Sequence, residues 1–226
     1  MAAYREFRIT RSDQIRALAV PARQEIIDAL LCSGPSTVAD IAAFLGRPAD
    51  SLYFHIRILK RLGLVVRAES RRPGGREEKV YDVPGRPMRI DYDLGDRRIS
   101  AGIVKAIGAM LRITRRDFND AVDGGTAAVD GLYRALWGAR VKGWITKPEL
   151  KGVNRRLNEI CRIMLSPERR RGSGLHSFTF VITPIEPNTR ERTQERRAKN
   201  RESRQRKEER AVDGRPRRFL KKSRTK

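Results

Sequence analysis

Cysteine and histidine are scarce in this chain of 226 residues. Its two cysteines, Cys32 and Cys161, each fall in an apolar helical pattern, which predicts two buried thiols in a reducing cytosol rather than a disulfide. Its two histidines, His55 and His176, are far apart in the sequence and have no cluster of further ligands beside them. The sequence therefore predicts neither a bound metal nor any other cofactor.

Long apolar segments are also missing. The N-terminal stretch MAAYREFRIT lacks the apolar core of a signal peptide. The longest apolar-leaning run, AGIVKAIGAMLRI, is interrupted by Lys105 and is too short to span a bilayer. We therefore expect a cytoplasmic protein that does not contact the membrane.

Motifs of the common catalytic chemistries do not occur. The sequence contains no phosphate-binding Walker loop, dinucleotide fingerprint, HExxH pair or nucleophile elbow. Neither histidine has a nucleophile or a carboxylate pair near it in the sequence. These absences favour a binding protein over an enzyme.

Positive charge, in contrast, is abundant: 50 Lys and Arg stand against 27 Asp and Glu, for a net charge of +23. Residues 187–226 alone carry 17 basic and 6 acidic side chains, with almost no apolar ones. Such a segment cannot bury a core, so it is predicted to be a disordered basic tail that touches phosphates. A protein of this charge suits a polyanionic partner.

Residues 21–46 carry the start and stop signals of two consecutive helices. Pro21 stands at a first-turn position, and Gly34 ends the apolar pattern that follows it. The next helix begins with a capping box formed by Thr37 and Asp40, and Gly46 ends it after about two turns.

A third helix is predicted over residues 48–62, where Tyr53, Phe54 and His55 place three rings in a row. A helix turns about 100° per residue, so it cannot bury all three rings on one side. The residues predicted to face the core are Leu52, Ile56, Leu59 and Leu62. This places His55 at the edge of the core and turns Tyr53 and Phe54 outward.

The outward face of this helix suits the major groove of DNA. The Arg57 guanidinium can read guanine, Asp50 or Ser51 can meet base edges, and a ring can contact a thymine methyl group. The alternative is a solvated surface on which Phe54 packs against a neighbouring helix. The following sequence favours the DNA-binding interpretation, because LVVRAES and VYDVP read as two strands that flank a Gly-rich basic turn, RRPGGREEK. Helix, turn, helix and two-stranded wing form the winged helix-turn-helix plan.

STVADIAAFLGRPADSLYFHIRILKRLGLV, followed by YDVPG, resembles the ArsR-type winged helix-turn-helix transcriptional regulators over roughly residues 10–85. The resemblance implies base-facing positions for Asp50, Ser51, Tyr53, Phe54 and Arg57. It implies positions at the DNA backbone or in the wing for Arg47, Lys60, Arg61, Arg71, Arg72 and Arg76. Metal-sensing members carry a Cys-rich pair in the helix before the turn, where this chain has VADIAAFL, so a metal sensor is not expected.

The segment RRISAGIVKAIGAMLRITRRDFNDAVDGG follows a predicted linker, GRPMRIDYDLGD. Its apolar residues repeat at spacings of four and three, which is typical of a coiled-coil seam. The predicted seam residues are Ile99, Ile103, Ala106, Met110 and Ile113. They favour a homodimer, since paired half-sites in DNA need a two-fold protein, and packing within the same chain is the alternative.

Beyond residue 130 the sequence predicts a small α/β domain. A strand-like run contains Trp137 and Trp144, and a capping box of Thr146 and Glu149 opens a helix. The alternation in LHSFTFVITP then predicts a half-buried strand. The sequence leaves open whether this domain binds a small-molecule effector or only completes the dimer.

The sequence thus predicts a mainly α fold with a small amount of β structure. The predicted parts are a DNA-binding domain at 1–85, a linker and dimerisation helix at 86–130, an α/β domain at 131–186 and a tail at 187–226. Two functions remain. One is a dimeric regulator that reads specific duplex DNA in the nucleoid, which the exposed rings and Arg57 favour. The other is an architectural or RNA-binding protein without sequence preference, which the tail favours.

Overall fold

The computed structural model describes residues 5–69, 78–165 and 174–186. The chain divides into two units, Met1–Thr179 and Phe180–Lys226. The described residues of the second unit, 180–186, form neither helix nor strand. All described helices and strands therefore belong to the first unit.

Six helices and five short strands make up the described part of the chain. The helices are α1 (Ser12–Ala17), α2 (Pro21–Ser33), α3 (Val38–Leu45), α4 (Asp50–Arg61), α5 (Arg97–Asp123) and α6 (Lys147–Met164). The strands are β1 (Phe7–Ile9), β2 (Ser36–Thr37), β3 (Val66–Arg67), β4 (Val80–Asp82) and β5 (Met88–Ile90). The prediction of a mainly helical chain with few strands is confirmed.

Local capping signals set the ends of the central helices. Pro21 occupies the first turn of α2. At the start of α3 the Asp40 amide donates to the Thr37 hydroxyl at 3.1 Å, and the Thr37 amide donates to the Asp40 carboxylate at 2.9 Å. Gly46 ends α3 with a left-handed φ of 61°, a conformation that costs glycine little. The predicted boundaries and the predicted capping box are confirmed here.

The core lies where α2, α3 and α4 meet. The large side chains that are completely enclosed there include Ile26, Leu30, Ile41, Leu52, Leu59 and Leu64. Each such side chain contributes roughly 1.5–3 kcal/mol on leaving water. This core fixes α4 on the rest of the domain.

A three-stranded antiparallel sheet, in the order β2-β4-β3, adjoins these helices. Val66 pairs with Asp82, and Ser36 pairs with Tyr81. The two strands predicted after α4 are therefore present as β3 and β4. The participation of β2 was not predicted, because two residues carry no periodicity.

The prediction that residues 85–96 form a linker is wrong for Met88–Ile90, which form β5. Within this stretch β5 pairs in parallel with β1, so that Phe7 lies opposite Met88. The Arg86 side chain is buried and donates to the Leu30 carbonyl at 2.8 Å and to the Asp82 carboxylate. The strand partner Phe7 and the acceptor Leu30 are distant in the chain, so the sequence of this segment alone contains no sign of them.

The predicted strands beyond residue 130 are also wrong. In the described residues of 131–186, α6 is the single regular element. Trp144 is 90% exposed, and the Trp137 ring lies 4.1 Å from the Arg134 guanidinium. An alternating pattern needs a neighbouring strand to complete its hydrogen bonds, and the described residues supply none. Where residues 131–186 are described, the predicted α/β domain is therefore one helix and irregular chain.

Two further expectations concern the burial of the two cysteines and the absence of a membrane-spanning helix. Cys32 is exposed, so the prediction that it is buried is wrong, while Cys161 is partly buried. No helix among the described residues has both the length and the apolar character that a membrane span requires.

Helix α5 is capped by the Asp96 carboxylate and continues for 27 residues, or about 40 Å. Its inner side packs on α1 and α2. A Cβ added to Gly102 would lie 3.1 Å from the Ile15 side chain, and Gln24 donates to the Ala106 carbonyl at 2.8 Å. Close approach of α1 therefore depends on Gly102.

This packing corrects part of the predicted dimer seam. Ile103 and Ala106 are 6% and 2% exposed in the core of their own chain, so neither has area left for a second chain. Ile99, Met110 and Ile113 are partly buried. Ile103 and Ala106 therefore pack within their own chain, which was the alternative to a dimer seam.

Candidate nucleic-acid interface

The orientation of α4 is fixed by its inner side. Leu52, Ile56 and Leu59 are buried in the core, so the helix cannot rotate without exposing them. Tyr53 and Phe54 are then turned outward and are 55% and 54% exposed. The predicted distribution of the rings around the helix is confirmed.

The outer side of α4 combines rings with cations. The Arg57 guanidinium lies 5.8 Å from the centre of the Phe54 ring, within the range of a cation–π contact. Lys60 and Arg61 are exposed one turn further along. Such a contact limits the freedom of the Arg57 side chain while its N–H donors stay available to a base edge.

The first turn of α4 brings two short polar side chains to the same end of the helix. Asp50 and Ser51 are both exposed. The Ser51 hydroxyl donates to the Pro48 carbonyl at 2.7 Å, which leaves its oxygen able to accept a hydrogen bond. The structure therefore places all five residues that were predicted to face bases at the surface.

His55 has a different environment. Its Nδ1 atom is buried and finds no hydrogen-bond partner in the described part of the chain. Burial lowers the pKa of His55, and the positive charges of Arg23 and Arg47 lower it further. The ring also meets Phe54 edge-on, with centroids 5.6 Å apart. His55 therefore packs behind the exposed face, in surroundings that disfavour its protonated form.

Arg47, predicted to contact the DNA backbone, is engaged within the protein. Its guanidinium donates to the Glu25 carboxylate at 2.7 Å, and the other oxygen of Glu25 accepts from Arg116 of α5 at 2.6 Å. Glu25 is buried. We call this group, Glu25 with Arg47 and Arg116, the Glu25 bridge. It joins α5 to the turn before α4, because Arg47 lies in that turn.

A second anchor holds the other end of α4. The buried Gln14 side chain of α1 donates to the Leu62 carbonyl at 2.9 Å. Carbonyls at a helix C-terminus lack partners within the helix, so this bond satisfies one of them. Sequence reasoning missed both Gln14 and Glu25, because their partners lie 22 to 91 residues away.

Of the five other cations predicted to contact the DNA backbone or to lie in the wing, the structure describes two. Lys60 and Arg61 lie at the surface of α4, next to the base-facing residues. Arg71, Arg72 and Arg76 lie outside the described residues. Strands β3 and β4, which come before and after these three arginines in the sequence, pair with each other.

Comparison with known families agrees with this geometry. Residues 18–68 match the family of helix-turn-helix domains, a match that covers α2, β2, α3, α4 and β3. Among curated proteins none matches the chain. Residues 18–68 are therefore similar to a helix-turn-helix domain, a DNA-binding unit in which α3 corresponds to the first helix and α4 to the second.

Proposed function

We propose that this protein is a dimeric regulator that reads a specific duplex DNA sequence, of the ArsR-type winged helix-turn-helix class. In this proposal α4 enters the major groove, and the hairpin of β3 and β4 is the wing beside it. The protein acts by binding rather than by catalysis, and it does not sense a metal. The observation that carries the proposal is the exposed face of Tyr53, Phe54 and Arg57.

The rings argue for sequence reading rather than general affinity. Two adjacent aromatic side chains, each more than half exposed, stand on a helix whose other side is rigidly packed. A surface that binds only phosphates needs cations alone. Rings and a guanidinium on the exposed side of a fixed helix can instead contact base edges and thymine methyl groups.

The dimer is best supported by the outward side of α5. Val104, Leu111 and Phe118 recur every seven residues and are 72%, 49% and 39% exposed. We call these three residues the α5 stripe. In an antiparallel pair Leu111 would meet its own copy, and Val104 would lie opposite Phe118 of the second chain. The α5 stripe therefore replaces the seam at Ile103 and Ala106 as the proposed interface.

The test begins with selection of bound sequences from random duplex DNA near physiological salt. On the selected site, Arg57→Ala should cost roughly 1–3 kcal/mol and flatten the preference at one base pair. Lys142→Ala removes an exposed cation outside both the helix-turn-helix region and the wing, and serves as the matched control. An equal loss on selected and random DNA would make Arg57 a phosphate contact and would contradict the proposal.

A further inference from the structure

Helix α6 carries a row of cations that neither the helix-turn-helix domain nor the dimer uses. At about 100° per residue, the polar residues on one side of the helix fall within an arc of about 80°. They are Lys147, Lys151, Arg155, Asn158 and Arg162. We call this row the α6 basic row. Glu149 and Glu159, the two acidic residues of the helix, lie outside the arc.

The row faces solvent. Lys151 and Arg162 are exposed and have no acidic partner among the described residues. Arg155 meets Glu159 only at 4.0 Å, and its side chain is 69% exposed. Leu150, Val153 and Leu157 lie on the opposite, apolar side of the helix. The cationic groups are therefore available to an external anion.

The row also borders an open groove. A surface groove of about 470 Å³ is lined by Pro148, Lys151, Gly152, Arg155, Asn158 and Arg162. Gly152 and Pro148 have no long side chains that could fill the groove. The charged ends of Lys151, Arg155 and Arg162 therefore stand around an empty space. The surface of the groove itself is mostly apolar. The ammonium and guanidinium ends of Lys151, Arg155 and Arg162 are the groups that suit phosphate oxygens, which they bind by charge-assisted hydrogen bonds.

Helix α6 is linked to the body of the first unit on this same side. The Arg89 guanidinium of β5 donates to the Asn158 side-chain oxygen at 3.0 Å. The β1–β5 pair is joined through Arg86 to α2, on which α4 packs. The Arg89 side chain is half-exposed and also meets the Glu6 carboxylate at 3.6 Å, so its charge is partly balanced.

Resting on the proposed function, we propose that the α6 basic row binds the phosphate backbone of duplex DNA beside the sequence that α4 reads. Soluble helices normally mix charges of both signs on their outer side, whereas this arc holds four cations and no acid. From Lys147 to Arg162 the row extends about 22 Å, too long for one small anion and suited to a chain of phosphates. The row lengthens the footprint without reading bases.

The test compares two triple variants of the full chain. Lys151→Gln, Arg155→Gln and Arg162→Gln remove three charges of the row. Arg140→Gln, Lys142→Gln and Arg156→Gln remove three exposed charges outside it. Affinity is measured over a salt series by fluorescence anisotropy, on the selected site with long flanks and on the same site trimmed of its flanks. Circular dichroism checks that both variants keep their helix content.

On the long duplex, the row variant should make the slope of log K against log salt shallower by up to ~2.7, at ~0.9 per phosphate contact. The control variant should change the slope by less than ~1, and the two should behave alike on the trimmed duplex. The preferred sequence should not change in either variant.

Equal slopes for the two variants on the long duplex would overturn the inference, as would a loss in the row variant confined to single-stranded RNA. If Arg57→Ala still lost the base preference in that experiment, the proposed function would stand and only the role of α6 would fall. A wild-type chain that bound no duplex at all would refute both.

Discussion

The Glu25 bridge makes a quantitative prediction about stability. Glu25→Gln keeps the size of the side chain but removes the negative charge between two guanidinium groups. The two oxygens of Glu25 accept from Arg47 at 2.7 Å and from Arg116 at 2.6 Å, and the Glu25 side chain is 6% exposed. An amide has one oxygen to offer, so one guanidinium loses its bond to residue 25. Arg116 would keep its bond to the Asp117 carboxylate at 2.7 Å.

The expected size follows from the exposure of the three side chains. Removing one member of a fully buried ion pair costs about 3–5 kcal/mol. Here the Arg47 and Arg116 side chains are 33% and 46% exposed, so water can replace part of what is lost. We therefore expect Glu25→Gln to lower the free energy of unfolding by about 2 kcal/mol. That loss corresponds to a fall in Tm of about 4–8 °C for a chain of this size.

Thermal unfolding followed by circular dichroism measures this change. Glu6→Gln is the matched control, since the Glu6 carboxylate meets Arg8 at 3.3 Å at the surface and should cost less than about 0.5 kcal/mol. The double variant Glu25→Gln with Arg116→Gln should cost less than the sum of the single variants, because the two groups act on each other.

The bridge also connects the turn before α4 to α5, so Glu25→Gln should weaken binding to the selected DNA site. A Tm for Glu25→Gln within 1 °C of that for Glu6→Gln would refute the reasoning, since the buried carboxylate would then hold nothing in place.

Two further predictions concern His55 and the α5 stripe. Because burial lowers the pKa of His55 in the folded protein, the unfolded chain takes up a proton that the folded chain does not. Stability should therefore fall as pH decreases through the ordinary histidine value of about 6.5. His55→Gln should remove that part of the pH dependence in denaturant titrations at pH 7.5 and about 5.5, whereas the exposed His176→Gln should retain it. For the dimer, Leu111→Asp should yield a monomer in sedimentation experiments, because an unpaired carboxylate would be buried between two chains. Arg112→Asp, placed beside the stripe, is the control, and a dimeric Leu111→Asp would move the interface elsewhere.

Local signals account for what could be predicted of the fold. Pro21, the pair of Thr37 and Asp40, and Gly46 act within a turn of where they stand, so the helix boundaries could be predicted from the sequence. The outward position of Tyr53 and Phe54 follows from helical geometry once the residues around them are seen to be apolar. The capping box at the start of α6 was predictable for the same reason.

Contacts between distant residues account for what could not be predicted. The pairing of β1 with β5 joins segments about 80 residues apart, and neither segment alone contains the pattern of a sheet. The run LHSFTFVITP has a strand pattern but no strand beside it in the described residues. An alternating sequence permits a strand, and only a partner stabilises one.

The long helix and the bridge show where the sequence stops being sufficient. The periodicity of the sequence determined that one side of α5 is apolar, but not which part of the protein packs against that side. The tertiary structure decided it, because α1 and α2 of the same chain bury Ile103 and Ala106. The Glu25 bridge depends in the same way on three elements that meet only after folding. Hydrophobic periodicity records that a face must be buried, whereas the identity of the neighbour depends on how the whole chain packs.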